Sequence, residues 1–124
     1  MDLTLEKPGD HLFIRSVSGA GIQVADVHYS GPIILSATRI VEEWTASEAI
    51  DLAECDLEKI LDLDPEIVLL GTGASQVFLP PERMMYFYSR NVGVEVMNTE
   101  AACRTFNVLV SESRKVVAAL LPGL

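Results

Sequence analysis

Positive charge is scarce in this 124-residue chain, where nine lysines and arginines face 18 aspartates and glutamates for a net charge of -9. The arginines, Arg15, Arg39, Arg83, Arg90, Arg104 and Arg114, are scattered and form no basic run. Such a surface repels nucleic-acid phosphates and anionic lipid, so nucleic-acid partners are disfavoured. Cysteine is almost absent too. Cys55 and Cys103 lie far apart, form no Cys-x-x-Cys pair, and have no metal-ligand spacing to His11 or His28. No metal site or cofactor is expected from them. No apolar run approaches the roughly 20 residues that span a bilayer. The first residues, Met1 to Pro8, lack a basic stretch followed by an apolar one, and are too acidic and arginine-poor for a transit peptide. The expectation is a cytoplasmic chain with reduced thiols. No repeat, low-complexity tract or linker divides it, and its length suits one domain over residues 1–124.

The residues that are present alternate between strand-like and helix-like patterns. Leu12 to Val17 reads as a strand, stopped by Ser18-Gly19-Ala20-Gly21. Ile22, Val24 and Val27 form a second extended segment. Val27-His28-Tyr29 and Ile33-Ile34-Leu35 flank Ser30-Gly31-Pro32, which predicts a hairpin. Arg39 to Trp44 reads as a further strand, with Ile40 and Trp44 facing inward. Short helices are expected over Glu48–Ala53 and Leu57–Leu63, with Asp56 as the amide-accepting cap of the second. After Pro65 the pattern becomes β-α-β-α-β. Glu66 to Leu70 is nearly all apolar, as in a strand covered on both faces. Pro80-Pro81 opens a helix whose Met84, Phe87 and Tyr88 share a face. Val94, Val96 and Met97 form a strand. Asn98 or Thr99 then caps a helix to about Val110, with Ala102, Phe106, Leu109 and Val110 as its apolar stripe. Lys115 to Leu121 is the last strand. The architecture is an α/β, three-layer domain: a central mixed β-sheet flanked by helices, plus an antiparallel N-terminal β part.

Several of these segments also carry a resemblance. Leu70-Gly71-Thr72-Gly73, Pro80-Pro81, the run Met97 to Leu109, Glu112, Arg114 and Ala118 to Pro122 are similar to the Mth-type conserved domain. That family includes mitochondrial complex I assembly factor 3 and the adipogenesis-associated Mth-domain protein. The similarity is specific over about the last 55 residues and looser before them. It implies a three-layer fold and, with no transit peptide, an uncharacterised bacterial member. It supplies no catalytic residue set. Asn98 stands where the family often has Asp, and Phe106 where Tyr is common, which argues against a phenol at 106 as an obligatory catalyst.

Candidate chemistry concentrates in two places. Gly71-Thr72-Gly73 follows a buried strand, where ligand crevices commonly form, but Gln76 breaks a dinucleotide fingerprint and no phosphate loop follows. A tight structural turn is the plainer reading. The helix start from Asn98 to Arg104 offers free amides, the Thr99 hydroxyl and the Arg104 guanidinium to a small anion. The plainer reading there is a helix cap, with Arg104 paired to a carboxylate such as Glu112. Together these give a ligand-binding set of Gly71, Thr72, Gly73, Thr99, Arg104 and Asn107. Cys103 lies in the first turns of the same helix, where the dipole lowers a thiol pKa, but neither His11 nor His28 is placed to act as its base, and a small buried hydrophobe is the plainer reading. Met84, Met85, Tyr86, Phe87 and Tyr88 exceed what one buried helical face needs, so some of them should be exposed. Two functions are therefore expected to compete. One is a non-enzymatic protein-interaction or assembly-factor-like domain with a protein partner. The other is a small-molecule or anion-binding domain or minor enzyme built on the six residues above.

Overall fold

In a computed structural model, described for residues 11–42, 44 and 52–122, the chain forms two sheets and three helices. A three-stranded antiparallel sheet comes first, from β1 (Ile14–Ser18), β2 (Gly21–Val24) and β3 (Val27–Tyr29). The second sheet has five strands in the order β5-β4-β8-β6-β7. These are β4 (Ile33–Leu35), β5 (Ile40–Val41), β6 (Ile67–Gly71), β7 (Gly93–Met97) and β8 (Val116–Leu120). The helices are α1 (Glu54–Leu61), α2 (Pro81–Tyr88) and α3 (Thr99–Ser111). β6 runs parallel to both β7 and β8, while β4 is antiparallel to β8 and β5. The expected mixed sheet, its flanking helices and the antiparallel N-terminal part are all present.

The five-stranded sheet separates two apolar cores, because successive strand residues point to opposite faces. Ile34, Val68, Leu70, Val117 and Ala119 meet Leu57 and Ile60 of α1, Phe87 of α2, and Trp44. Ile33, Leu35, Leu69, Ala118 and Leu120 meet Ala102, Cys103, Phe106 and Val110 of α3, and Ile14, Ile22 and Val24 of the small sheet. Every residue of β8 is buried, which explains its unbroken run of small and branched apolar side chains.

Helix ends follow the local chemistry. Asn98 Oδ1 accepts from the Ala101 amide at 2.8 Å and caps α3. Ser113 (φ 64°) closes the other end of α3. Its amide donates to the Val110 carbonyl, and the Arg114 amide donates to that of Leu109, the bond pair of a left-handed helix stop. Asn91 (φ 62°) turns the chain after α2, as a short polar side chain in that region allows.

Four local expectations are corrected. Ser30-Gly31-Pro32 does not close a hairpin: β3 belongs to the small sheet and β4 pairs with β8 and β5, so the turn carries the chain between sheets. Asp56 is not the cap residue of α1. Ala53 is, and Asp56 reaches back to accept the Ala53 amide at 2.9 Å. The strand expected over Arg39–Trp44 shrinks to Ile40–Val41, although Trp44 is buried. Tyr88 does not share the inward face of Phe87 and is 47% exposed. The helix expected over Glu48–Ala53 lies outside the described residues up to position 51, and Leu52 and Ala53 precede α1.

Candidate functional site

The glycine turn and the start of α3 interlock. A Cβ on Gly71 would sit 2.9 Å from Thr99 Cα, so only glycine lets α3 begin directly over the end of β6. Gly73 has φ +101°, a left-handed conformation that side chains disfavour. Its amide donates to Thr99 Oγ1 at 2.8 Å, and its carbonyl accepts from the Thr99 amide at 2.9 Å. The Thr99 hydroxyl donates in turn to the Leu121 carbonyl at 2.7 Å. Thr99 is fully buried, and its hydroxyl ties the loop after β6, the start of α3 and the chain leaving β8. Thr72 folds the following loop: its hydroxyl donates to the Ser75 carbonyl at 2.7 Å and accepts from the Val77 amide at 3.1 Å.

Arg104 and Asn107 lie elsewhere. The Asn107 amide bonds Ile14 twice, accepting from its backbone amide and donating to its carbonyl, both at 2.8 Å. These bonds fasten β1 to α3. Arg104 is exposed and pairs with Glu100 one turn earlier at 3.7 Å, not with Glu112. The six residues grouped from sequence therefore fall in two places. Gly71, Gly73 and Thr99 meet in one buried lock, half-buried Thr72 folds the loop beside it, and Arg104 and Asn107 border a groove of about 210 Å³ between α3 and β1.

Cys103 lines the same groove but is 2% exposed. Burial pushes its thiol from 9.0 up to about 12; Arg104 lowers it and Glu100 raises it, both by smaller amounts. Desolvation thus outweighs the helix dipole, and Cys103 is the small buried side chain of the plainer reading. Among the described residues, no three His, Cys, Asp or Glu side chains group to hold a metal ion.

A larger hollow of about 520 Å³ opens at the other end of the sheet, beside Leu63, Asp64, Val110, Arg114 and Lys115. Its cations are matched by acids. Lys115 Nζ lies 3.2 Å from Asp64, and Arg114 Nε lies 3.3 Å from Glu66. The Lys115 backbone amide and the Arg114 side chain hold the Glu66 carboxyl below its ordinary value.

Exposed apolar side chains concentrate on the loop before α2 and on α2 itself. Phe78 is 85% exposed, Met85 58%, Tyr88 47% and Val77 40%. The surplus of apolar bulk over Met84–Tyr88 pointed to exposure on this helix without saying that Met85 and Tyr88 carry it, and Phe78 and Val77 were missed. The available signal was a stretch from Ile67 to Pro81 without a single charge, continuing well past the end of the strand.

These features define the class: a mixed-sheet α/β domain with an internally locked glycine turn and an exposed apolar loop and helix. A family model described as "Protein of unknown function (DUF498/DUF598)" matches residues 14–121, and the chain belongs to this family. It is 37% identical over 89 residues to the "13 kDa major membrane protein" of Francisella tularensis, covering 71% of this chain and 72% of that one. It is 34% identical over 113 residues to NADH dehydrogenase (ubiquinone) 1 alpha subcomplex assembly factor 3 of Mus musculus, covering 90% of this chain. The chain spans 60% of that relative's length. A solved Bordetella pertussis structure, described as an Mth938-like domain, matches with a TM-score of 0.82 at 29% identity, covering 98% of this chain and 92% of the other. The resemblance to the Mth-type domain is thereby established. Among the described residues, no helix is long and apolar enough to cross a membrane.

Proposed function

We propose that this chain is a non-enzymatic protein-interaction domain of the assembly-factor kind. The observation that carries this reading is the run of exposed apolar side chains Val77, Phe78, Met85 and Tyr88. Water around such groups is released when a partner covers them, and aromatic anchors of this type dominate binding energy at protein interfaces. The assembly-factor relatives support the same direction. The competing reading, an anion or small molecule held by Gly71-Thr72-Gly73 and the start of α3, has less support. The amides of Gly73, Thr99 and Ala101 and the Thr99 hydroxyl already have partners within the chain. The exposed free thiol of Cys55 suits a reducing, cytoplasmic setting.

The test is recovery of the tagged chain, cross-linked at native expression level, beside a Phe78→Asp/Met85→Asp variant. The wild type should hold one specific protein near equal stoichiometry. The variant should lose it while keeping its circular dichroism and melting temperature. A partner retained equally by the variant, or no specific partner on the wild type, would sink the proposal.

A further inference from the structure

The groove between β1 and α3 has a strand edge as one wall. Among the described residues β1 is the outermost strand of its sheet, paired to β2 on one side only. On its other side the Asn107 carboxamide makes both hydrogen bonds to Ile14. A carboxamide has the donor and acceptor of a peptide group, so Asn107 occupies one rung of a ladder that an added strand would form. Beyond that rung the edge opens. Two adjoining hollows of about 210 Å³ each run along it, sharing Val17 and Glu100 in their walls. The backbone groups there face outward by the antiparallel alternation. Ser18 and Gly21 flank a two-residue turn, the position of a bonded pair in a tight hairpin, so alternation turns the backbone groups of Val17 outward, past a bulge between Ile14 and Ser16 that shifts the register from the Asn107 rung.

The charge of the groove differs from that of the whole molecule. Among the described residues that line it, Arg15 and Arg104 stand against Glu100 alone, on a chain of net charge -9. The Arg104–Glu100 pair is 3.7 Å apart with side chains 68% and 66% exposed, so water screens it and a new carboxylate can compete. With a screening length of about 8 Å in physiological salt, charges lining the groove act on a bound group more strongly than acids beyond that distance.

We propose that this groove receives an extended, acidic segment of a protein partner, added as a strand beside β1 with a carboxylate against Arg104 and Arg15. The idea rests on the protein-interaction reading above and adds to it the chemistry of one contact. Backbone bonds at Val17 hold the segment, and the two guanidiniums select its charge. A second copy of this chain fits less well, because it brings another nine net negative charges as a whole domain.

The experiment titrates the full ¹⁵N-labelled chain with acetyl-Thr-Glu-Val-Glu-Thr-amide. Saturable shifts at the Val17 amide and around Arg104 are expected, with a dissociation constant of about 1 mM or tighter. The same peptide with lysine for glutamate, and one N-methylated at its three central residues, should each bind at least tenfold more weakly. Arg104→Gln, an exposed change that leaves the core intact, should also weaken the acidic peptide tenfold. The proposal is overturned by absence of saturable shifts at β1, by equal binding of the lysine peptide, or by N-acetylglutamate alone reproducing the shifts, which would mark a small-anion site. The recovery experiment above separates the two failures. A partner kept by Arg104→Gln but lost by Phe78→Asp/Met85→Asp would remove the groove and leave the interaction reading standing. No partner on the wild type would remove the interaction reading itself.

Discussion

Replacing Thr99 by valine removes one hydroxyl and changes almost nothing in shape, which makes it a direct probe of the lock between the glycine turn and α3. The hydroxyl accepts from Gly73 and donates to Leu121, and Thr99 is fully buried. Valine would leave a buried amide and a buried carbonyl without partners, each costing about 1–3 kcal/mol. The added methyl returns about 0.8 kcal/mol of apolar burial. The expected net loss for Thr99→Val is therefore about 1–5 kcal/mol, centred near 3. Thr99→Ser keeps both bonds and loses only a methyl, so it should cost about 1 kcal/mol. For a chain of this size the first change corresponds to a fall of roughly 10 °C in melting temperature, the second to a few degrees. Urea unfolding of the three proteins, with a common slope, measures both differences. If valine proved no worse than serine, the hydroxyl would not be the tie described here, and Gly73 and Leu121 would have to be satisfied by other groups.

Asn107→Leu should lower stability by about 2–3 kcal/mol, because both backbone groups of Ile14 lose their partner. Hydrogen exchange should quicken at Ile14 while the core of α3 stays protected, and uniform exchange across both would refute the local tie. Cys103 predicts a pH dependence. Its folded thiol titrates at about 12 against an ordinary 9.0, so the folded chain keeps a proton that the unfolded chain releases. That contribution is complete below pH 9 and is lost between pH 9 and 12, at up to about 1.4 kcal/mol per pH unit. Cys103→Ala should flatten the stability curve across that window, and parallel curves for the two proteins would reject the assignment. Trp44 is 2% exposed, and among the described residues its Nε1 has no hydrogen-bond partner. Trp44→Phe should thus stay within about 1 kcal/mol of wild type by equilibrium unfolding, while Trp44→Ala should cost about 3–5 kcal/mol. A loss with phenylalanine as large as with alanine would show that Nε1 does have a partner.

What sequence reading captured and what it missed follow from the range of the interactions. β6 and β8 were legible because both faces of each are covered, which leaves long unbroken apolar runs. The cap of α3 was legible because Asn98 acts on Ala101, three residues away. The partner of β4 was not legible. Ile33 to Leu35 pair with Ala118 to Leu120 at the other end of the chain, and Gly31-Pro32 gives the same local signal whether the turn closes a hairpin or links two sheets. Asp56 was placed in the right turn with the wrong role, since an acidic residue suits both the cap and the third helical position. Among the site residues, sequence identified a hydroxyl, a guanidinium and an amide near one helix start. It did not show that Thr99 is aimed inward at a carbonyl 22 residues away, or that Asn107 reaches a strand 93 residues earlier.

The polar side chains of α3 consequently divide by depth, and the division has a functional consequence. Thr99 spends its hydroxyl on the interior and Asn107 its carboxamide on β1, so changes at either position act on stability first. Glu100 and Arg104 face water and make only a screened pair, so changes there leave the fold nearly untouched. The loop bearing Phe78 behaves like the second group, because a side chain 85% exposed contributes little to the core. Loss of a partner through Thr99→Val should therefore track the loss of folded protein and recover at lower temperature. Loss through Phe78→Asp/Met85→Asp should persist in fully folded protein at any temperature. If the two classes of variant lost a partner in the same way, with the folded fraction held equal, the glycine turn would belong to the interface as well as to the frame beneath it.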